Sequence, residues 1–478
     1  MKRSFQLFPI IIFCVGIFNC SNPTSSKPEN PFKHVDLQIL SDSTLAITWQ
    51  GEFESEALLS LDRKVGEESW QMDYTNVPAN DFIYVDTLYS VHTDTVYSYR
   101  LRFKESDNSS SISPSVALLS ERCVPVDFSA RQIDKSTIRI AWRDQSIGEA
   151  GFRIDRQVGN NDWQIAYAKA DSNSYEYFDI TTTSSEISYR IAAYAGSSFS
   201  SFTEIAKIKL GSLTLANLYF GTEPTFEVMT WNIEEFPRFD TLTVSAVSQA
   251  IKALDIDIIG MQEIQSGTAF QQLLDSLDNW DGYRSNNARY DINLAFVYNP
   301  ANITVNQYYE IFRNEDAFPR PPLVIELEWQ NVPIIVINNH FKAMGDEDSQ
   351  NRRLQACTLL EEYIRTNLAD DNVIVIGDLN DELTDAQSVN VFGPFLSQPS
   401  AYKFADYSIA QGSSKYWSYP TWPSHIDHIL ITDELFGVFA NSASVIKTLL
   451  IENYMEGGWN EYAVKISDHR PVALKLAF

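Results

Sequence analysis

Asn372-Val373-Ile374-Val375-Ile376-Gly377-Asp378-Leu379-Asn380-Asp381 is the stretch on which the fold turns. Its β-branched run between polar flanks reads as a buried strand. Gly377 permits a tight turn at the strand's end. Asp378, Asn380 and Asp381 then stand at the mouth of a sheet, where packing gives them no role and functional side chains gather. Taken alone, the stretch fits equally well a strand running into an Asx-rich turn. What separates the two readings is whether other strands end in the same way.

They do. Phe226 to Trp231 reads as a strand with Asn232 at its end, and Asp257 to Met261 as another, ended by Gln262 and Glu263. Asn293 to Tyr298 is a further strand. Ile334-Ile335-Val336-Ile337-Asn338 is a buried one, ended by Asn339, His340 and Lys342. Helical periodicity runs from about Thr243 to Leu254 and from about Ser349 to Asn367. His425-Ile426-Asp427-His428 and Ser467-Asp468-His469 follow, before a last strand from Ala473 to Leu476. A lone histidine after a strand is more often a turn or core residue than a catalyst; repetition changes the weight. Asn232, Glu263, His340, Asp378, Asn380, Asp427, Asp468 and His469 supply hard oxygens, an amide donor and two imidazoles. That donor set, with few thiols, suits Mg²⁺, with Mn²⁺ or Ca²⁺ as alternatives, and not structural zinc. Asp427 and His469 can make an orienter–base pair. The chain has no Gly-x-Ser-x-Gly elbow, Walker loop or Cys-x-x-Cys pair.

The first half repeats itself. Ser43-Thr44-Leu45-Ala46-Ile47-Thr48-Trp49 recurs as Ser136-Thr137-Ile138-Arg139-Ile140-Ala141-Trp142, Leu61-Asp62-Arg63 as Ile154-Asp155-Arg156, and Trp70-Gln71 as Trp163-Gln164. Tyr99-Arg100-Leu101 recurs as Tyr189-Arg190-Ile191. The offset stays at about 90 residues, the size of a small domain. Short alternating strands with turns between them predict two all-β sandwiches, spanning residues 33–120 and 121–211. Neither copy holds a catalytic constellation. Trp70 and Trp163 read as packing residues ahead of a carbohydrate-binding face. Residues 211–224 are the expected junction to a third domain at 225–478.

The chain has 478 residues, a formal net charge of -27 and aromatic residues at 13%. Its surface repels DNA and anionic membranes in bulk, so a polyanionic substrate needs metal ions or a local basic patch. Lys342, Arg352 and Arg353 are the candidate patch, set against the alternative of a solvated helix face. Lys2 and Arg3 precede an apolar run from about Phe5 to Phe18, the length of a signal h-region. Residues 1–20 therefore read as an export signal. Cys20 stands where a bacterial lipoprotein would be lipidated, although Ile17-Phe18-Asn19 lacks the usual small residue before it. The expectation is a secreted protein or a cell-surface, outer-membrane lipoprotein, tethered by residues 21–32. Cys123 and Cys357 are too far apart in sequence to suggest a disulfide framework, and Cys357 reads as a buried hydrophobe.

Residues from about Phe226 to Phe478 resemble the endonuclease/exonuclease/phosphatase (DNase I-like) superfamily. The resemblance rests on five motifs in order: Trp231-Asn232, Gln262-Glu263, Asn339-His340, Gly377-Asp378-Leu379-Asn380 and Ser467-Asp468-His469. It implies a four-layered α/β sandwich and metal-dependent cleavage of a phosphoester. It implies Glu263 as the main metal ligand with Asn232 beside it, Asp468 sharing a metal, and Glu234 as a second acidic ligand. It further implies that Asp378 orients or deprotonates the attacking water and that Asn380 holds a phosphate oxygen. His340 would donate to a phosphate oxygen or protonate the leaving group. His469, paired with Asp427, would be general base or phosphate ligand. The two N-terminal copies resemble fibronectin type III domains, in their early Trp strand and in Tyr97 to Arg100 with its counterpart Ile187 to Arg190.

Departures leave the substrate open. The Trp-Cys-Asp-Arg signature of inositol phosphatases is replaced by His425-Ile426-Asp427-His428, though Arg320-Pro321-Pro322 and Pro420-Thr421-Trp422-Pro423 resemble phosphatase-type loops. Ile233-Glu234-Glu235-Phe236 stands where AP endonucleases carry their own signature. The expectation is a phosphodiesterase acting on extracellular DNA or RNA. The alternatives are a phosphatase or phospholipase C-type enzyme on inositol phosphates or phospholipids, and a non-catalytic surface binding module.

Overall fold

The computed structural model describes residues 30–54, 56–104 and 109–478. The expected export segment and Cys20 lie outside the described residues. No described helix is long and apolar enough to cross a membrane.

The repeat in the sequence is a repeat in strand order. In the first copy, strands Phe32–Ser41, Thr44–Gly51 and Ile83–Thr87 form a three-stranded sheet centred on Thr44–Gly51. In the second, Val126–Gln132, Thr137–Arg143 and Glu176–Ile180 do the same around Thr137–Arg143. Each copy adds a five-stranded sheet: Leu58–Val65, Gln71–Pro78 and Tyr97–Lys104 with two short strands, matched by Gly151–Val158, Gln164–Asp171 and Ile187–Ala195 with two more. Trp49 lies in the core of the first copy and donates its indole N–H to Ala79 O at 2.8 Å. The recurring Asp–Arg pattern also has a structural use. Buried Asp62 accepts from Arg100 at 3.0 Å and from Arg102 at 2.8 Å; buried Asp155 accepts from Arg153 at 2.8 Å and from Arg190 at 2.9 Å. Those pairs stand the guanidinium planes over Trp70 and Trp163, at 4.3 and 4.5 Å, so both indoles are cation–π partners.

The C-terminal domain carries the site. Its elements are β1 (Phe226–Phe236), α1 (Asp240–Leu254), β2 (Ile258–Ile264), α2 (Gly267–Ser276), β3 (Asp281–Arg284), β4 (Asn293–Tyr298), β5 (Ile303–Glu310), β6 (Leu323–Trp329) and β7 (Val332–His340). There follow α3 (Glu347–Asn367), β8 (Val373–Asp378), β9 (Tyr402–Phe404), β10 (Asp427–Thr432), β11 (Val445–Thr448), α4 (Gly458–Lys465) and β12 (Val472–Leu476), with shorter turns of helix between them. One six-stranded sheet runs β3-β4-β2-β1-β12-β11 and the other β5-β6-β7-β8-β10-β9. In each, one central pair is parallel, β1 with β2 and β7 with β8, and the flanking pairs are antiparallel.

Period-2 alternation builds the four layers. In β8, Ile374 and Ile376 face the core between the sheets, while Val373 and Val375 face the outer core under α3. In β1, Phe226 and Val228 face inward, and Met229 and Trp231 face the outer core under α1 and α2. Gly260 of β2 lets the sheets approach: a methyl there would stand 2.4 Å from Ile376 Cδ1. Toward the strand ends the inner layer turns polar. Gln262 Nε2 donates to Asn338 Oδ1 at 2.7 Å and to Thr230 Oγ1 at 3.0 Å, and Asn338 Nδ2 donates to Ala295 O at 3.0 Å. Fully paired amides cost little to bury. They form a floor beneath the strand ends.

α3 begins at Glu347, two residues before the expected start, because Asp346 caps it by accepting from Ser349 N at 3.0 Å. Cys123 and Cys357 are buried free thiols, and burial pushes the Cys357 thiol upward.

Candidate active site

Above the amide floor, the next inward-facing residues of the two central strand pairs meet. Asn232 of β1 donates its amide to Asp378 Oδ2 of β8 at 2.9 Å and to Glu263 Oε1 of β2 at 3.3 Å. His340 Nε2 of β7 lies 3.5 Å from Asp378 Oδ2 and 3.9 Å from Glu263 Oε1. His469 follows Ser467, whose hydroxyl donates to Asn232 O at 2.7 Å and accepts the His469 N–H at 2.9 Å. That turn puts His469 Nδ1 2.8 Å from Asp427 Oδ2 of β10, and Nε2 3.9 Å from Asp378 Oδ2. Tyr462 of α4 braces the same turn, donating to His469 O at 2.6 Å while accepting from Trp231 Nε1 at 3.0 Å.

Backbone strain aims two of these side chains. Alternation alone would send Glu263 outward with Met261. Its φ of 63° sits in a register shift of β2, and Glu235 N–H anchors Oε2 at 3.0 Å. A bulge that re-aims a side chain beside a site is a recurrent device. Gly377 has φ 152°, and a Cβ there would lie 2.1 Å from Asn339 O. Only glycine lets β8 close on β7 and deliver Asp378.

The electrostatics divide the histidines. Burial, and then Arg320 and His469, hold His340 well below the usual imidazole range, so it is neutral. Burial also opposes charge on His469, but Asp427 and Asp378 outweigh it and hold the ring protonated well above neutrality. Asp378 is pushed up, chiefly by burial and against the pull of His469.

Asn232, Glu263, His340, Asp378, Asp427 and His469 thus share one cluster. Asp468 stands at its rim, its Oδ1 3.8 Å from His469 Nε2. Glu234 reaches the rim differently: its carboxylate accepts from Asp468 N at 3.1 Å and pairs with Arg238. Asn380, at φ 54°, donates its backbone N–H to Asp378 Oδ1 at 3.1 Å and its amide to Phe341 O at 3.3 Å. Gln262 and Asn339 belong to the motifs, but their amides serve backbone and floor. Asp381 turns away to Arg353, at 2.7 Å.

Of the candidate basic patch, Arg353 is withdrawn from the surface, and with it the reading of a wholly solvated helix face. Arg353 is buried and donates to Asp381, Lys342 O and Met344 O; Arg352 donates to Asp316 O, and Lys342 Nζ to Ala343 O. These partners are tertiary and invisible in the helix's own sequence. A second cation, beside the protonated His469, is Arg320, which donates to Phe341 O at 3.3 Å and feels both Glu263 and Asp378. Tyr419 also escaped the sequence reading; its ring packs on His469 at 4.7 Å between centroids. A charge before paired prolines was the one available signal for Arg320, and Tyr419 had none.

A family model described as the endonuclease/exonuclease/phosphatase family matches residues 229–469, from β1 to the His469 turn. The chain belongs to this family. It is a phosphoester-hydrolysing enzyme whose C-terminal domain is an α/β sandwich, and the family's members are typically divalent-metal dependent. Similar solved structures include a humanized D. rerio TDP2 carrying 14 mutations, at 13% identity over 53% of this chain and 100% of that one, TM-score 0.42. The human Nocturnin catalytic domain is 17% identical over 54% of this chain and 96% of that one, TM-score 0.40. A Bacteroides thetaiotaomicron mannosyl-6-phosphatase is 15% identical over 53% and 100%, TM-score 0.38. No curated protein matches the sequence significantly.

The site fits a divalent cation on its own evidence. Asn232 Oδ1 and Asp468 Oδ1 are buried with no hydrogen-bond partner among the described residues. Like the Glu263 carboxylate that Asn232 touches, they are hard oxygens, the donor type that Mg²⁺ takes.

Proposed function

We propose that the chain is an exported, metal-dependent phosphodiesterase that cleaves nucleic acid, with short or single-stranded substrates preferred over long duplexes. The observation that carries the hydrolytic part is the convergence of Glu263, Asn232, Asp378, His340 and the Asp427–His469 pair on one spot at the strand ends. Glu263, Asn232 Oδ1 and Asp468 would hold the cation, with Glu234 supporting Asp468. The ion would neutralise charge on the phosphoryl oxygens and polarise the phosphorus. As water attacks, Asp378, pushed up by burial, accepts its proton, while the bond from phosphorus to the ester oxygen breaks and the departing alkoxide takes a proton from solvent. His469, kept protonated by Asp427, donates Nε2–H to a nonbridging oxygen, where negative charge builds. Neutral His340 and Arg320 face the same oxygens. Asn380 lines the approach to Asp378.

The preference for nucleic acid is argued from charge and rings. A net charge of -27 opposes tracking along duplex DNA. The loop beside His469 closes as a small hairpin between Tyr419 and Ser424, and Trp422 at its tip is 75% exposed. An exposed indole next to the chemistry offers a stacking face to an unpaired base. The second reading, a phosphatase or phospholipase C-type enzyme on inositol phosphates or phospholipids, draws on the same cluster.

Four substrates separate the readings: supercoiled plasmid, a labelled single-stranded oligonucleotide, bis-p-nitrophenyl phosphate and p-nitrophenyl phosphate, each with Mg²⁺ and with EDTA. The proposal expects the oligonucleotide and the diester to be cut and EDTA to stop both. Release of phosphate from the monoester alone would replace it with the phosphatase reading. Export and tethering are inferred from residues 1–32, with the two β copies, assigned fibronectin type III character, as spacers. Lipid at Cys20 is tested by mass spectrometry of the cell-made protein beside Cys20→Ser; an unmodified, freely secreted wild type refutes the tether.

A further inference from the structure

A second buried group of Asp and His side chains lies behind the first. Asp406, His425 and His428 are each 2% exposed or less, and their ligating atoms lie within 4.8 Å of one another. The hydrogen bonds decide what the group is. Ser418 N–H donates to His425 Nδ1 at 3.2 Å, so the proton of that ring sits on Nε2, which donates to Asp406 Oδ2 at 3.0 Å. His428 donates Nε2–H to Asp381 O at 2.9 Å and Nδ1–H to Asp406 Oδ2 at 2.6 Å, so that ring carries both protons. Ile429 N–H completes the shell at Asp406 Oδ1, at 2.9 Å. A protonated ring nitrogen cannot ligate a cation, so the group is a locked ion pair and not a metal centre.

The lock acts on Ser418. With its N–H held by His425, this fully buried residue points its hydroxyl at the start of β10. Oγ accepts the N–H groups of Ile426 and Asp427, both at 3.2 Å. Its carbonyl accepts Arg470 N–H at 2.7 Å, the residue after His469. One residue therefore binds the backbone of Asp427 and the backbone beside His469, the two partners of the 2.8 Å pair in the active site.

We propose that Ser418 is a positioning residue that sets the Asp427–His469 pair, and that the Asp406–His425–His428 group exists to hold Ser418 in place. Neither touches substrate. This rests on the hydrolytic reading above for its kinetic consequence, but not for its geometric one. Placement errors of an ångström at a reacting group cost up to about 100-fold in rate.

The test is Ser418→Ala and Ser418→Cys in the purified chain, the second filling the same space with a weak acceptor. Should Ser418→Ala not fold, Ser418→Cys carries the test. Ser418→Thr, which keeps the hydroxyl, is the rescue. With bis-p-nitrophenyl phosphate and Mg²⁺, kcat is expected to fall about 10–100-fold in Ala and Cys with KM within about threefold, and to recover in Thr. The second readout needs no substrate. In protein labelled with ¹⁵N-histidine, the hydrogen-bonded Nδ1–H of His469, assigned with His469→Gln, is expected to shift or vanish in Ala and Cys. Unchanged kcat with an unchanged resonance overturns the proposal. If wild type hydrolyses nothing, the functional reading fails, and the resonance alone decides: moved, the positioning role stands; unmoved, it falls.

Discussion

Two Asp–His groups sit side by side in this domain, both reached from the segment His425-Ile426-Asp427-His428, and they differ in what is left unpaired. Around Asp406, every side-chain nitrogen and oxygen has a partner. Around Asp427, buried polar atoms of four residues have none among the described residues: Asn232 Oδ1, His340 Nδ1, Asp427 Oδ1 and Asp468 Oδ1. An unpaired buried polar atom costs about 1–3 kcal/mol. The first group returns its polar atoms to the fold. The second leaves them free, at a cost, and the proposed cation and substrate would take them up. The same residue types thus do opposite work, and satisfaction of hydrogen bonds, not composition, tells them apart.

The contrast can be broken from either side. The largest effect is expected from His469→Gln, which removes the imidazole from the unsatisfied group: kcat/KM on bis-p-nitrophenyl phosphate should drop about 10²–10⁴-fold. The reverse is expected for Asp406→Asn, which strands a buried imidazolium. It should lower unfolding free energy by about 3–5 kcal/mol in a denaturant titration. The pH dependence follows from two opposed shifts. Asp406 is held below the usual carboxylate range by His428 and His425 despite its burial, so its contribution is present above about pH 3.9 and fades as pH falls through its folded value. His428 is held up by Asp406, so its contribution is complete below about pH 6.5 and fades as pH rises through its folded value. The gap between wild type and Asp406→Asn should therefore be widest between about pH 4 and 6.5.

Gly377→Ala should cost about 1–3 kcal/mol and blunt activity as well, because it strains the φ of 152° and drives a methyl at Asn339 O. The smallest effect sharpens the comparison with a third buried acid. Burial, then Asp257, pushes the Glu227 carboxyl well up. The folded chain keeps a proton that the unfolded chain loses above about pH 4.3, so stability falls as pH rises toward the folded value. Glu227→Gln should raise the melting temperature by about 2–4 °C at pH 8 and by less at pH 5.

Much of this was legible beforehand. Val373 to Ile376 alternate between two cores as a doubly buried strand should, and polar residues at successive strand ends marked the cluster. The N-terminal repeat was visible as Trp49 and Trp142 in register, and its recurring Asp62 and Asp155 proved to be the arginine anchors. What was hidden is tertiary. Glu263 reaches the site only because its φ turns positive. Arg353, which reads as a solvated cation on α3, is buried against Asp381. Ser418 carries no sequence signal, because its role lies in three backbone groups that the chain brings to it from residues 426, 427 and 470.

The account's central claim is that the unsatisfied group hydrolyses phosphoesters with a bound divalent cation. The direct measurement is the rate of bis-p-nitrophenyl phosphate hydrolysis against Mg²⁺ concentration, for wild type and Glu263→Gln side by side. The account predicts a rate that saturates with Mg²⁺ in wild type, vanishes in EDTA, and in Glu263→Gln is lower and requires more Mg²⁺ to saturate. Equal rates and equal Mg²⁺ dependence in the two proteins would contradict it.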